Sequence, residues 1–299
     1  MTLVTVDDVV GGSREDAMSV QPMPVGGISS VQALPESPAD DDGPAVTSVS
    51  KALRLLASFR GVGPVAGVSE LARLTGLPKS TAFRLLAQLE ASGYLERSGT
   101  DYRLDRMLFE LGNCVPMCSH GDLRSIAGPF LSDLFLRSRY VVHLAVLDGV
   151  DVVYLDKIHG HGNVRVPTKV GGRMRASCSA LGKAMLPFGH REAVEQILQE
   201  GLARRTPHSI AAPGLFVSEL NQVRKHGVAF DREEAALGLT CVAAPIISQG
   251  VAVAAVSVSG PTGRFDPVAL AKQVQSAARE ISALYARRLV DQGLEATAG

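Results

Sequence analysis

Two groups of residues in this 299-residue chain have types and spacings that can do chemistry. The first is cationic and hydrogen-bonding. Lys79, Ser80, Thr81, Arg84 and Gln88 fall within ten residues, and Arg97 and Arg103 follow closely. A DNA duplex offers phosphates to cations, and base edges to Arg, amide and hydroxyl side chains in a major groove ~12 Å wide. The second group is Cys241, Ser257 and Ser259, set in otherwise apolar stretches, together with Ala180 and Leu181 behind Ser179. Hydroxyls and a thiol among apolar residues are costly without partners, so they point to a small polar cavity. Backbone N–H groups in the first turn of a helix at Ala180 and Leu181 stabilise a carboxylate by roughly 0.3–1 kcal/mol through the helix dipole. Serines bonded to backbone are the plain competitor.

The first group needs a helix that stands clear of its domain. Ser48 caps a helix with Leu53, Leu56 and Phe59 at helical spacing, and Gly61-Val62-Gly63-Pro64 ends it. Ser69 opens a second helix carrying Glu70, Leu71, Ala72 and Leu74. Thr75-Gly76-Leu77 is a tight turn, because Gly76 tolerates the positive φ that closes a helix. Pro78 then starts a third helix, Lys79–Glu90, with Ala82, Leu85, Leu86 and Leu89 as its apolar stripe. Ser80, Thr81, Arg84 and Gln88 lie off that stripe. Gly93 stops the helix. Tyr94–Arg97 and Tyr102–Leu104 read as two short strands around Ser98-Gly99-Thr100-Asp101. That order is a winged helix-turn-helix, with Arg84 placed for a guanine edge and Lys79, Arg97 and Arg103 for phosphates. A helical bundle with a solvated polar face is the alternative.

The second group needs a sheet and a helix end. Arg103–Cys114 is helical in pattern, with Met107, Leu108 and Leu111 apolar, and Ile126–Arg137 is amphipathic. Tyr140–Leu147 and Val152–Leu155 are strands joined near Asp148-Gly149. Ser179–Phe188 is a helix. Thr240–Ile247 and Val251–Ser259 form a hairpin across Ser248-Gln249-Gly250. Period two puts Val253, Ala255, Ser257 and Ser259 on one face, and a three-residue loop sets Cys241 opposite Ser257. Asp266-Pro267 caps a last helix with Leu270, Val274, Ala277, Ile281 and Leu284 on one face, ending near Leu289.

Charge sorts along the chain although the total is zero, with 30 basic and 30 acidic residues. Residues 1–45 carry net −7, residues 46–107 net +4 and the remainder net +3. The first segment has five prolines, the run Asp40-Asp41-Asp42 and no sustained period, and reads as a disordered acidic tail. The four cysteines make no disulfide framework and read as reduced thiols. No secretory signal and no apolar run of ~18 residues is seen, so a cytoplasmic protein without a membrane span is expected. Cys114 and Cys118 with His120 invite a metal reading, but Pro116 interrupts the helix that would align the thiols, and no metal is expected. His159-Gly160-His161 reads as a surface loop. An enzyme would use Cys178 or Cys241 as nucleophile with His208 or His226 as base. Neither thiol has a local signature of that chemistry, so no catalytic residue and no cofactor is expected.

Four blocks, in order, resemble the IclR-type transcriptional regulators. They are the Ser48–Leu104 stretch with Leu77-Pro78-Lys79-Ser80-Thr81, then Ser179–Ala184, then Val223–Glu234, then Cys241–Ile246 followed by Ser257–Pro261. The resemblance covers about residues 46–290. It implies an α/β (α+β) chain with an N-terminal winged helix-turn-helix, a linker helix and a C-terminal GAF-like effector-binding domain. The expected segments are a tail at 1–45, the winged domain at 46–107, the linker helix at 108–124 and the GAF-like domain at 125–292. It implies a homodimer or dimer of dimers on double-stranded operator DNA, with the linker helix in the dimer contact. The small organic acid effector is implied to lie against Ala180 and Leu181 (backbone donors), Asp231, Cys241, Ser257 and Ser259. Upstream the chain departs from the family pattern with Arg175-Ala176-Ser177-Cys178, where Arg175 either strengthens anion binding or is solvated.

Overall fold

The computed structural model describes residues 47–115, 123–159 and 166–291. The chain divides into two units, Met1–Thr47 and Ser48–Gly299. The tail, the Cys118–His120 pair and the His161 loop lie outside the described residues.

Helices α1 (Ser48–Val62), α2 (Val68–Thr75) and α3 (Lys79–Ala91) pack around Leu55, Phe59, Leu71, Leu85 and Leu86. Leu53, expected on the buried stripe of α1, is 59% exposed; the stripe runs instead through Leu55, Ser58 and Phe59. The α2–α3 turn closes as Gly76 takes φ 66° and its N–H reaches the carbonyls of Ala72 and Arg73. Pro78 stands just outside α3 as its N-cap rather than as its first residue. Strand β1 (Val65–Gly67) was not foreseen; it joins β2 (Leu95–Ser98) and β3 (Asp101–Leu104) in an antiparallel sheet of order β1-β3-β2. Tyr102, wholly buried, fastens that sheet to the helices.

Helix α4 (Arg106–Asn113) begins two residues before the linker helix expected at 108–124, and none of its residues is buried. Beyond it, α5 (Leu123–Ser138) leads to a six-stranded antiparallel sheet. Its strands are β4 (Val141–Asp148), β5 (Asp151–Ile158), β6 (Arg173–Arg175), β7 (Ala229–Arg232), β8 (Leu239–Ser248) and β9 (Val251–Pro261), in the order β6-β5-β4-β9-β8-β7. Alternation along the strands serves two cores. Val142, Leu144, Val242, Val256 and Val258 face α5 and α9 (Pro267–Asp291). Val141, Ala145, Tyr154, Cys241 and Ala243 face α6 (Ala180–Met185), α7 (Arg191–Glu200) and α8 (Pro213–His226). This is the α/β effector-domain architecture expected from the sequence.

Three expectations shift. The hairpin turn has two residues, Gln249-Gly250, because Ser248 pairs with Val251. A bulge follows, with Ile246 opposite Ala254 and Ile247 opposite Ala252. Turn and bulge each move the register by one, so Cys241 lies opposite Ser259 rather than Ser257. Two single-residue shifts preserve the face, which is why both serines stay on the same side. Val253, left unpaired at the bulge, joins the other core instead of sharing a face with Ala255. Leu284 on α9 is 42% exposed, because the buried stripe through Val274, Ala277, Ala278 and Ile281 continues at Tyr285 instead.

Candidate DNA-facing helix and effector cavity

The α3 surface follows from its amphipathic pattern. Ala82, Leu85 and Leu86 are buried, which leaves Lys79, Ser80, Arg84 and Gln88 exposed and Thr81 half-buried at the margin. Arg84, expected at a base edge, is exposed on this surface. The wing arginines are engaged. Arg97 donates to both carboxylate oxygens of Glu90 (3.4 and 3.5 Å) and to the Tyr102 hydroxyl at 2.6 Å, and its guanidinium lies 4.8 Å above the Tyr102 ring. It clamps the wing to α3. Arg103 is paired with Glu96 across β2 and β3. Both arginines, expected on phosphates, are paired with carboxylates and remain part-exposed.

The cavity lies between the sheet and α6. Asp231, Cys241 and Ser259 are direct cross-strand neighbours on β7, β8 and β9. Residues opposite each other in antiparallel strands share a face, so their side chains stand in one row. Ser257 sits in the next row of the same face, between Ala243 and His143. Helix α6 meets this face with its N-terminal end. Ser179 caps it, its hydroxyl accepting from the Gly182 N–H at 3.0 Å. Gly182 is required there: a Cβ would lie 2.2 Å from the Ala176 carbonyl oxygen. Ala180 and Leu181, together with all four sheet residues, line the cavity, so the six positions expected around the effector converge on one space.

Buried charge surrounds that space. Lys183 is fully buried and donates to Glu234 at 2.6 Å and to Glu219 at 3.2 Å, tying α6 to α8 and to the turn after β7. Asp231 accepts from the N–H groups of Glu234 (2.7 Å) and Ala235 (3.3 Å). Burial and then the Glu234 charge hold its carboxyl up at about 7, only partly opposed by those N–H bonds and by Lys183. Burial, then Asp231, pushes the Cys241 thiol well up, and burial does the same to Cys178, whose Sγ lies 3.0 Å from the Ala203 carbonyl oxygen. A nucleophilic cysteine needs the opposite shift, and both candidate bases, His208 and His226, are exposed. Arg175 does not line the cavity; it bonds Glu200 at 3.0 Å on the outer edge.

His143, Tyr154, Thr168 and Met174 also line the cavity and were not singled out from the sequence. A histidine inside the apolar run Val141–Ala145 was the available signal for the first of them. The space itself is small, about 20 Å³, room for roughly one water molecule.

The model of the IclR helix-turn-helix domain matches residues 48–99, and that of the bacterial transcriptional regulator IclR C-terminal domain matches residues 116–283. The chain belongs to the IclR family of transcriptional regulators. This IclR-family chain is 34% identical over 246 residues to the HTH-type transcriptional regulator KdgR of Escherichia coli, covering 79% of this chain and 92% of KdgR. It is 33% identical over 247 residues to E. coli XynR, covering 80% and 97%. A crystal structure of an IclR homolog from Microbacterium hydrocarbonoxydans complexed with 4-hydroxybenzoate superposes with a TM-score of 0.74 at 27% identity, over 81% of this chain and 99% of that one. Membership makes α1–α3 a DNA-binding helix-turn-helix and the six-stranded sheet part of an effector-binding domain. No helix among the described residues is long and apolar enough to cross a membrane.

Proposed function

We propose that this regulator binds operator DNA as a homodimer or dimer of dimers and that a small carboxylate held in the α6 cavity changes its affinity. The observation that carries the reading is the row Asp231–Cys241–Ser259 facing the N-terminal turn of α6. The N–H groups of Ala180 and Leu181 take the carboxylate, and Ser257 and Ser259 supply further hydrogen bonds. Arg84 reads base edges, and Ser80, Thr81 and Gln88 line the groove beside it. Lys79 meets phosphate. The IclR homolog bound to 4-hydroxybenzoate supports an aromatic or similarly compact acid as effector.

The narrow cavity supplies the lever. Space for one water admits an organic acid only if the walls part, so ligand and empty states differ in shape. Exposed Met107, Phe109 (74%) and Leu111 on α4 fit a contact with a second copy, through which that change reaches the paired α3 helices. Half-sites ~34 Å apart tolerate little change in helix separation. An effector preference of roughly 1–3 kcal/mol for one state is enough to switch occupancy.

The test uses the full chain on its own upstream promoter fragment. Gel shifts are titrated with a panel of small carboxylic acids, with wild type and with Ser257→Ala combined with Ser259→Ala. The double variant is expected to bind DNA normally and to lose the response. A double variant that responds to the same acid concentration as wild type overturns the cavity assignment.

A further inference from the structure

Helix α1 ends on a carbonyl that its own chain direction cannot satisfy. The residue four positions after Arg60 is Pro64, which has no N–H, so the Arg60 carbonyl lacks its intrahelical bond at the negative end of the helix dipole. A cation from the effector domain takes that place: Lys169 Nζ donates to the Arg60 carbonyl oxygen at 3.2 Å, across 109 residues of sequence. Helix α1 is bound in turn to the helix-turn-helix. Arg54 donates to the Thr75 carbonyl at the end of α2 (2.8 Å), and Leu55 and Phe59 share a core with Leu85 and Leu86 of α3.

The other end of this contact is the cavity wall. Val166, Pro167 and Thr168 line the cavity, and Lys169 is the next residue. Thr168 Oγ1 lies 2.8 Å from His143 Nε2, and Lys157 donates to the Thr168 carbonyl at 2.6 Å. Lys169 opens a tight turn in which the Gly172 N–H donates to its carbonyl at 2.9 Å and Gly171 takes φ 74°. That turn is fastened to Tyr154, which also lines the cavity: the Gly171 N–H donates to the Tyr154 carbonyl at 2.8 Å, and the Tyr154 N–H to the Gly172 carbonyl at 3.1 Å. Residues 166–172 belong to no strand or helix. No regular ladder holds this part of the wall, so it gives more readily than the strands when space for about one water has to admit an acid.

We infer that Lys169 is a latch within each chain, joining the effector cavity to the DNA-binding helices: it holds α1 while the wall is narrow and releases it when an acid parts the wall. This route is separate from the α4 contact between copies, and it rests on the effector reading above. A bond made in one state only favours that state, so losing it shifts the protein toward the acid-bound form. One charge-assisted bond at an exposed helix end is a bias of about two- to fivefold.

The test uses the full-length chain as wild type, Lys169→Met, which keeps the stem and drops the donor, and Lys169→Arg, which keeps a cation. Operator affinity is read by fluorescence anisotropy on the labelled upstream promoter fragment, without acid and at saturating acid, and acid affinity by calorimetry without DNA. The probes are acetate, butanoate, benzoate and 4-hydroxybenzoate. Lys169→Met is expected to move the acid-free operator affinity about two- to fivefold toward the acid-saturated wild-type value and to tighten acid binding by a similar factor. Its operator affinity at saturating acid should match wild type, and Lys169→Arg should behave as wild type. A structural defect would instead weaken acid binding, and a phosphate contact would lower operator affinity at saturating acid as well; either result overturns the latch. Lys169→Met values equal to wild type throughout, or a Lys169→Arg variant that behaves like Lys169→Met, also overturn it, and all four results leave the effector reading standing. If none of the acids binds, the effector reading falls and the latch falls with it.

Discussion

Replacing Asp231 by Asn tests the electrostatics of the cavity directly. Asn keeps an oxygen to accept the Glu234 and Ala235 N–H groups, at 2.7 and 3.3 Å in the native chain, and removes only the charge. In the folded protein the Asp231 carboxyl sits at about 7, against an ordinary value of about 3.9 in the unfolded chain. Between those values the unfolded state is ionised while the folded state holds a proton. The folded state therefore binds more protons, and stability falls as pH rises. Asp231's contribution is fully present below about pH 4 and is lost as pH passes 7. Three pH units at ~1.4 kcal/mol each give about 4 kcal/mol at most. At pH 8 the Asn variant is expected to be more stable than wild type by about 2–4 kcal/mol, roughly 5–10 °C in Tm for a domain of this size. At pH 4 the two should agree within about 1 kcal/mol. Thermal unfolding followed by circular dichroism across pH 4–8 reads both. Effector binding should follow the same ionisation, because an incoming carboxylate meets one negative charge fewer when Asp231 is protonated. Wild-type affinity for a bound acid is expected to fall up to tenfold per pH unit above 7, and the Asn variant to stay flat. Parallel pH profiles of stability for wild type and Asp231→Asn would refute the reasoning.

Three further outcomes follow from the same coordinates. Lys183→Met strands the buried Glu234 beside Asp231 and should destabilise the effector domain by about 3–5 kcal/mol, with much of the loss restored by adding Glu234→Gln; urea unfolding measures both. Arg84→Ala should cost about 1–3 kcal/mol of operator affinity and relax one base-pair preference in competition gel shifts, whereas Arg97→Ala should weaken binding without changing the salt slope, because Arg97 is bonded to Glu90 and Tyr102. Phe109→Ser, at a side chain 74% exposed on α4, should shift sedimentation toward monomer at micromolar concentration while leaving the folded monomer's circular dichroism unchanged.

Much of the molecule was legible from its residues because the signals are local. Helical periodicity in Ser48–Glu90, the Gly76 turn and Pro78 specify the three-helix unit without knowledge of distant contacts. Alternation in Val251–Ser259 and the Asp148-Gly149 turn specify strands. The six positions expected around an effector were chosen from their types and from the family resemblance, and they line one cavity. Register was less legible: a two-residue turn and a bulge together moved Cys241 from Ser257 to Ser259, and the one local sign of the bulge is Pro245, which cannot donate to a strand ladder.

By itself the sequence determined which helix is amphipathic, where it turns and which strand faces alternate, since those depend on neighbours a few positions away. Only the tertiary structure decided what each charged or polar side chain meets. Arg97 and Arg103 were read as free cations and are held by Glu90 and Glu96; Arg175 turned outward to Glu200; Lys183 went inward to Glu219 and Glu234. His143 meets Thr168, 25 residues away, in a cavity assembled out of six strands and a helix end. Such partnerships are fixed by packing between distant segments, and burial then decides which groups are left charged, neutral or unpaired.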